Sequence, residues 1–402
     1  MRVAVIGGGA AGYFAALSVI EHHPKAQVTI YEKSDKVLSK VRISGGGRCN
    51  VTHDEPVVSR LIKHYPRGAN FLRKAFAIFS VPDTIAWFKR HGVALKAEAD
   101  GRMFPITDDS STVVHALYDT AMRQGVRLAL RSGVTRVEPV EGGFRLVVND
   151  RMVMADKVIV TTGGHPKPDS YAWLAELGHR IEPPVPSLFT FNIPDDPIHQ
   201  LMGVALPARV RIVGTSLEST GPVLITHWGL SGPAVLRLSA WGARSLSEKA
   251  YRFTVQVNWA GGRSEEVLRS QLGAEAMTLD RKAARNVDPF HLPTRFWVFQ
   301  LDRAGIDPAQ VWGTVPRKAK NRLLDLLTND RYEVSGKTTF KEEFVTAGGV
   351  ALEQVAPLTM QSSIYPGLHF AGEVLDIDGI TGGFNFQAAW TTGFIAGRSV
   401  GG

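Results

Sequence analysis

An apolar run ending in Gly7-x-Gly9-x-x-Gly12, a second glycine-rich turn ahead of a C-terminal helix, and a proline-rich, β-like stretch between them together predict an α/β fold. A Rossmann-type domain uses both ends of the 402-residue chain, and an insertion interrupts it.

The elements follow in order. Val3-Ala4-Val5-Ile6 is continuously apolar, as a parallel strand buried on both faces requires. Ala10 to Ile20 carries an apolar stripe through Ala11, Phe14, Ala15 and Leu17, and His23-Pro24 ends that helix. Gln27 to Tyr31 alternates as a second strand. Helical patterns recur at 69–80, 82–90 and 111–124, and strand patterns at 126–130, 133–139, 143–149 and 157–161. Residues 183–258 turn proline-rich, with short β-like runs at Ala208–Val213 and Phe253–Asn258. Residues 262–330 read as helical and 334–350 as short strand and turn. A strand at His369-Phe370-Ala371 and a helix from about Asn385 close the chain.

Composition excludes several classes. Hydrophobic residues at 44% and charged residues at 21% rule out wholesale disorder. A single cysteine, Cys49, rules out a disulfide framework, a CxxC redox pair and a cysteine zinc finger. None of the 12 histidines has metal-site spacing, so no metal is expected. No run of 18 apolar residues occurs, and the N-terminal apolar stretch is too short for a signal peptide. Cytoplasmic residence and no membrane contact are the expectation. The net charge of +8 is concentrated: residues 1–75 hold 12 Lys+Arg against 5 Asp+Glu, which suits a bound anionic cofactor or a local nucleic-acid face.

The Gly7-x-Gly9-x-x-Gly12 turn has the required strand before it and helix after it. Gly7 permits the tight turn, Gly9 lets a pyrophosphate approach the backbone, and Gly12 lets helix and strand pack closely. The helix N-terminus then holds the anion. Glu32, 20 residues after Gly12, is placed for ribose hydroxyls and disfavours a 2′-phosphate, so FAD or NAD fits better than NADP. Far along the chain, Phe370-Ala371-Gly372-Glu373 and then Gly379-Ile380-Thr381-Gly382-Gly383-Phe384-Asn385 aim a helix N-terminus at whatever occupies that turn. A flavin, whose reduced ring gathers negative charge, needs such a feature; a simple NAD dehydrogenase does not. Ser44-Gly45-Gly46-Gly47-Arg48-Cys49-Asn50 reads as an anion-binding nest, with Lys40, Arg42 and Arg48 adding charge, or otherwise as a surface loop.

These strings, with Thr161-Thr162-Gly163-Gly164, Thr226-His227-Trp228-Gly229-Leu230-Ser231-Gly232-Pro233 and Thr346-Ala347-Gly348-Gly349-Val350, resemble the bacterial FAD-dependent oxidoreductase family that includes aminoacetone oxidase and the BaiN- and YhiN-like flavoproteins. The resemblance implies a glutathione-reductase-like FAD-binding domain over 1–185 and 346–402. It implies an inserted β-barrel-like domain over 186–261 and 331–345, and a helical subdomain over 262–330. It implies FAD contacts at Gly7, Gly9, Ala11, Gly12, Glu32, Lys33, Lys40, Ser44, Gly45, Gly46, Arg48, Cys49, Asn50, Thr162, Gly163, Gly372, Glu373, Gly383, Phe384 and Asn385. Val134 resembles the position whose backbone meets adenine. The sequence departs from the family at Leu38-Ser39-Lys40, at His165-Pro166-Lys167-Pro168-Asp169-Ser170 and at Phe386, which leaves the substrate open.

His227 and Ser231 are the candidates for acid–base chemistry. The ordinary alternative, a turn whose histidine satisfies backbone groups, is preferred because no partner carboxylate is identifiable. Cys49 reads more as a small buried residue than as a nucleophile. The basic cluster Arg317–Arg322 lies in a stretch, 262–330, holding 11 Lys+Arg and 9 Asp+Glu, so it reads as a solvated helix face and not as a nucleic-acid site. The expected activity is hydride transfer between flavin N5 and a small organic substrate, either oxidising an amine or alcohol or saturating an activated double bond. NAD(P)H stays open as a transient donor. An RNA-modifying flavoprotein and a non-enzymatic redox sensor are the alternatives; the oligomeric state is open.

Overall fold

The structure, a computed structural model, describes residues 1–274, 276–287, 289–339 and 345–401. Of the strand-and-turn stretch expected over 334–350, residues 340–344 lie outside the described residues. The chain divides into two compact units, Met1–Ser187 with Phe340–Gly402, and Leu188–Thr339.

Among the described residues, the first unit is built on a five-stranded parallel sheet in the order Leu368–Phe370, Lys157–Val160, Arg2–Ile6, Gln27–Tyr31, Arg127–Ala129. The two chain ends therefore meet in one sheet. Val3 to Ile6 and Val158 to Val160 are buried, which is why they read as unbroken apolar runs and not as alternating ones. Helix Ala10–His22 packs against helix Phe384–Ser399 so closely that a Cβ at Gly397 would lie 2.3 Å from the Ala15 carbonyl oxygen. A meander of Val134–Val140, Gly143–Val148 and Arg151–Ala155 is added. Its third strand was not anticipated: the paired exposed residues Met152 and Met154 break the polar-out pattern that an alternation argument needs. Strands Ile181–Pro186 and Thr346–Val350 pair antiparallel, so the chain leaves this unit and returns to it side by side.

His369 sits in the Leu368–Phe370 strand at 0% exposure. Its Nδ1 is 3.0 Å from the Thr359 carbonyl oxygen, and its Nε2 has no partner among the described residues. Burial pulls its pKa down to about 4. An unfolded histidine titrates near 6.5, so the unfolded chain binds the extra proton first as pH falls. The stability tied to this residue is present above about pH 6.5 and is lost as pH falls towards 4, roughly 3 kcal/mol in all. Urea midpoints at pH 7.5 and 4.5 are expected to differ less in His369→Gln than in wild type; an unchanged difference would contradict this account.

In the second unit the described strands run Asp330–Ser335, Arg252–Asn258, Ala205–Ile212, Glu218–Thr226, Gly229–Ser231, Thr190–Asn192 and Lys337–Thr338. The first and last of these are one chain segment, bent at Gly336, whose φ is 102°. One half pairs with Arg252–Asn258 and the other with Thr190–Asn192, so the sheet closes into a barrel. Ala205–Ile212 alternates strictly exposed and buried, as a barrel strand must. Helices Glu265–Ala274, Thr294–Ala304 and Arg317–Thr328 share one hydrophobic core with the barrel, including Trp259, Trp297, Trp312 and Leu323. The buried carboxylate of Asp330 is held by both Arg303 Nη atoms, at 2.7 and 2.9 Å, and by Trp259 Nε1 at 3.0 Å. No described helix is long and apolar enough to cross a membrane.

Candidate dinucleotide site

The glycine turn is sterically enforced. Gly7 has φ 113° and donates its N–H to Tyr31 O at 2.8 Å. A Cβ on Gly12 would lie 2.0 Å from Gly7 O, and one on Gly7 would lie 2.5 Å from Thr161 O. Thr161 Oγ1 donates towards Ile6 O at 3.0 Å and Gly7 O at 2.9 Å, fixing the turn from the neighbouring strand. Gly9, by contrast, faces open space: no heavy atom lies within 4 Å of its absent Cβ. It caps helix Ala10–His22, whose first-turn N–H groups have no intrahelical acceptor. Ala11 is buried, and a Cβ on Gly372 would touch it at 2.8 Å, so only the backbone of either is available to a ligand.

Glu32 is pinned beside this turn. Its Oε2 accepts from Gly8 N–H at 2.8 Å and its Oε1 from Ser34 N–H at 2.9 Å. Arg131 N–H donates to Ser34 O and Ser132 N–H to Glu32 O, which carries the start of the Val134–Val140 strand to Lys33. Glu32, Lys33 and Val134 are thereby grouped. His165, which the sequence marks only as a departure from the family and not as a site residue, belongs to the same region: burial, Lys33 and Lys40 all lower its pKa. Gly163 has φ 77° and an open face; Thr162 precedes it.

The Ser44–Asn50 string departs from a regular helix. Ser44 is extended, with ψ 151°, and Gly45, Gly46 and Gly47 have φ of 59°, 70° and 84°. The left-handed glycines run into Arg48, which is right-handed with φ −96° and ψ −16°, and Cys49, left-handed with φ 61°, the alternation that turns successive backbone N–H groups to one side as a nest. Gly46 and Gly47 are open where a Cβ would sit, while Gly45 is backed by the Phe104 ring. Arg48 does not add free charge here. Its guanidinium lies 4.0 Å over Phe104, donates to Glu98 at 2.6 Å, and faces Asp108 at 3.5 Å. It braces the loop from behind. Cys49 is fully buried, and burial pushes its thiol up to about 12, so it stays protonated and is no nucleophile at neutral pH. Asn50, with its amide oriented to suit its neighbours, accepts from Gly383 N–H and donates to Thr52 O, both at 3.0 Å.

Lys40 Nζ meets Glu373 Oε2 at 2.8 Å, and Glu373 Oε1 accepts from Thr346 N–H at 2.7 Å. Gly383, φ 94°, caps helix Phe384–Ser399. The Phe384 ring is buried against His53 and His64, at centroid distances of 4.6 and 4.3 Å. Asn385 spends its amide on Gly379, accepting from its N–H at 2.8 Å and donating to its O at 2.9 Å. Phe384 and Asn385 thus shape the loop with their side chains and offer a ligand their backbone N–H groups.

His227 and Ser231 lie in the second unit. His227 is exposed in the two-residue turn between strands Glu218–Thr226 and Gly229–Ser231, edge-on to Trp228 at 4.1 Å. No bond joins it to a carboxylate among the described residues. Thr226 Oγ1 instead holds the turn, donating to Gly229 O at 3.1 Å. Ser231 is 7% exposed, just before helix Pro233–Glu248.

Residues 1–399 match the family described as "HI0933-like protein Rossmann domain". The chain is 28% identical to a 3-dehydro-bile acid delta(4,6)-reductase of Clostridium scindens, over 99% of this chain and 98% of the relative. It is 28% identical to a ribosomal RNA dihydrouridine synthase of Escherichia coli, over 98% and 97%. Among solved structures, 3-ketosteroid-delta4-(5alpha)-dehydrogenase from Rhodococcus jostii RHA1 superposes with a TM-score of 0.53 at 14% identity, covering 100% of this chain and 96% of that one. At that identity the likeness speaks for the fold alone. The matched span and the glycine-turn domain agree: the chain belongs to the HI0933-like family of FAD-dependent oxidoreductases.

Proposed function

We propose that the protein is an FAD-dependent reductase of a ring carbon–carbon double bond conjugated to a carbonyl group. The observation that carries this reading is the chemistry shared by two full-length relatives. Their names specify a bile acid and an RNA, yet a 3-dehydro-delta(4,6)-reduction and the making of dihydrouridine both saturate such a bond.

The residues fit FAD. Gly9 leaves empty the space a pyrophosphate needs, beside a helix N-terminus and under a turn that admits no side chain. Glu32 would take the adenosine ribose, with Lys33 and the Val134 backbone beside the adenine. Lys40 and Glu373 would flank the ribityl chain. The Gly45–Cys49 loop and the N-terminus of Phe384–Ser399 would hold the flavin ring. Bound FAD supplies a two-electron carrier that accepts and delivers hydride.

The chain's own contribution is orientation and charge. Asn385 locks the Gly379–Gly383 loop, so the first-turn N–H groups of Phe384–Ser399 keep a fixed direction and favour negative charge in front of them. Arg48 and Phe104 hold the nest rigid. With no second GxGxxG in the sequence, NAD(P)H acts as a transient donor with no domain of its own.

The test is anaerobic. NADH or NADPH should bleach the flavin band of the yellow protein. Adding a 4-ene-3-ketosteroid or a uridine-containing RNA should restore it without oxygen, with a product heavier by two hydrogens. Bleaching by a small amine or alcohol, with recovery only in air, would replace this reading by an oxidase.

A further inference from the structure

His165 lies at the carboxyl end of the parallel sheet, the edge at which open α/β sheets bind ligands. The loop after strand Lys157–Val160 starts at the glycine turn, where Thr161 Oγ1 donates to Gly7 O at 2.9 Å. It then reaches Glu373: a Cβ on Gly164 would lie 2.5 Å from Glu373 Oε1 and 2.6 Å from Thr346 Oγ1. His165 is the next residue. Its backbone N–H donates to Tyr171 Oη at 3.0 Å, and its ring stands edge-on to the Tyr171 ring at 5.8 Å. Tyr171 is buried, so the half-buried imidazole rests against a fixed wall.

The groups facing the imidazole come from several segments. Lys33 follows strand Gln27–Tyr31, Lys40 lies in the Ser39–Gly47 segment, and Glu373 follows strand Leu368–Phe370. Burial first, then Lys33 and Lys40, disfavour a protonated ring; Glu373 and the Thr162 carbonyl favour one, and the first set prevails. Tyr171, its phenol pushed up to about 12 by burial, is neutral and adds no charge. Two ammonium groups thus stand against one carboxylate, and Lys40 is paired with that carboxylate at 2.8 Å. A dianion reverses this balance. The pyrophosphate is the dianionic part of FAD and lies between its adenosine and ribityl ends. His165 feels both Lys33, on the adenine side of the cradle, and Lys40, on the ribityl side. Its loop runs between the glycine turn and Glu373, which places it beside the pyrophosphate.

We propose that His165 binds the FAD pyrophosphate through a proton that it takes from solvent as the dianion docks, an imidazolium N–H then donating to a phosphate oxygen. The inference rests on the FAD cradle of the reductase reading and is independent of which double bond is reduced. Below the titration point of the free ring the imidazole is charged in both states, and above that of the bound ring in neither. Between the two, FAD binding takes up about one proton, so the dissociation constant rises about tenfold per pH unit.

The test uses oxidised, FAD-loaded protein with no reductant or substrate. FAD release on dilution is read by flavin fluorescence from about pH 5.5 to 8.5, a range spanning the ordinary histidine value. Far-UV circular dichroism checks the fold at each pH. Wild-type affinity should weaken as pH rises. His165→Gln, which keeps a neutral donor, should bind FAD about tenfold more weakly than wild type at the acid end, equally at the alkaline end, and without a slope. Phosphorus-31 spectra of the FAD-loaded wild type give a reading that needs no variant. The pyrophosphate resonances should move with pH over the same window, and they decide the matter if His165→Gln purifies without flavin. A wild-type affinity and pyrophosphate resonances that ignore pH overturn the proposal, as does a slope that survives in His165→Gln. A colourless wild type would remove the cradle itself, whereas failure to reduce a double bond in the anaerobic test bears on the substrate alone.

Discussion

Gly9→Ala protein is expected to purify colourless while keeping wild-type secondary structure, whereas Gly12→Ala is expected to lose both flavin and stability. The two glycines differ in what a methyl group would meet. At Gly9 the backbone has φ −90°, which alanine adopts without strain, and nothing lies within 4 Å of the new Cβ. The methyl meets no clash, and Ala for Gly at a helix N-cap costs only about 0.5–1 kcal/mol in lost cap preference. What the methyl does occupy is the volume in front of the helix N-terminus, where a pyrophosphate must come within hydrogen-bonding distance of backbone N–H groups. FAD affinity should fall on the order of 100-fold, close to 3 kcal/mol. At Gly12 the methyl would stand 2.0 Å from Gly7 O and 2.8 Å from Thr161 Oγ1. Neither is the end of a flexible side chain, so helix Ala10–His22 must move off the sheet, at about 1–3 kcal/mol or more. Flavin content after purification, FAD affinity by flavin fluorescence and thermal midpoints separate the two effects. Gly9→Ala protein with a wild-type flavin content would remove the pyrophosphate from this turn.

The parts legible in the sequence are those whose cause is local. The Arg2–Ile6 strand, the glycine turn and helix Ala10–His22 follow from spacing and apolar runs within about thirty residues. The roles of individual side chains follow from partners far away in sequence. Arg48 reads as positive charge for an anion until Glu98, 50 residues on, is seen to hold it. Asn385, expected from the resemblance as a cofactor contact, is found with its side-chain amide closed on Gly379. Closure of the barrel depends on Gly336 passing one chain segment from Arg252–Asn258 to Thr190–Asn192, a fact about two partners that no single window contains. His53 and His64 packed on Phe384 carry no motif at all. Sequence therefore locates the cradle better than it assigns the atoms within it.

The same long-range logic governs Arg67, and its removal should be the most damaging single change outside the glycine turn. Asp378, one residue before the Gly379–Gly383 loop, is fully buried. Arg67 grips its carboxylate through both Nε and Nη2, Ser187 Oγ donates to it, and Arg67 Nη2 also reaches Ser187 Oγ at 3.3 Å. Three distant segments are joined: the Arg67 turn, the exit from strand Ile181–Pro186 and the approach to the Gly379–Gly383 loop. Burial holds the Asp378 carboxyl above its usual range, and Arg67 opposes that shift. Arg67→Met leaves the carboxylate buried without its cation, a loss of about 3–5 kcal/mol. The sign of its pH dependence follows. An acid whose folded pKa is raised binds its proton more tightly in the folded state, so the associated stability is present below the unfolded value near 4 and is lost as pH rises through the folded one. Without Arg67 that pKa climbs further. The deficit of Arg67→Met relative to wild type should therefore be smallest near pH 5 and largest near pH 8, within the usual stable range. The double variant Arg67→Met, Asp378→Asn should recover most of it, because no charge is then stranded. Urea midpoints for the four proteins at both pH values decide the matter. A deficit independent of pH and unrelieved in the double variant would mean that Arg67 contributes packing and not charge, and that the Gly379–Gly383 loop is held by its glycines and Asn385 alone.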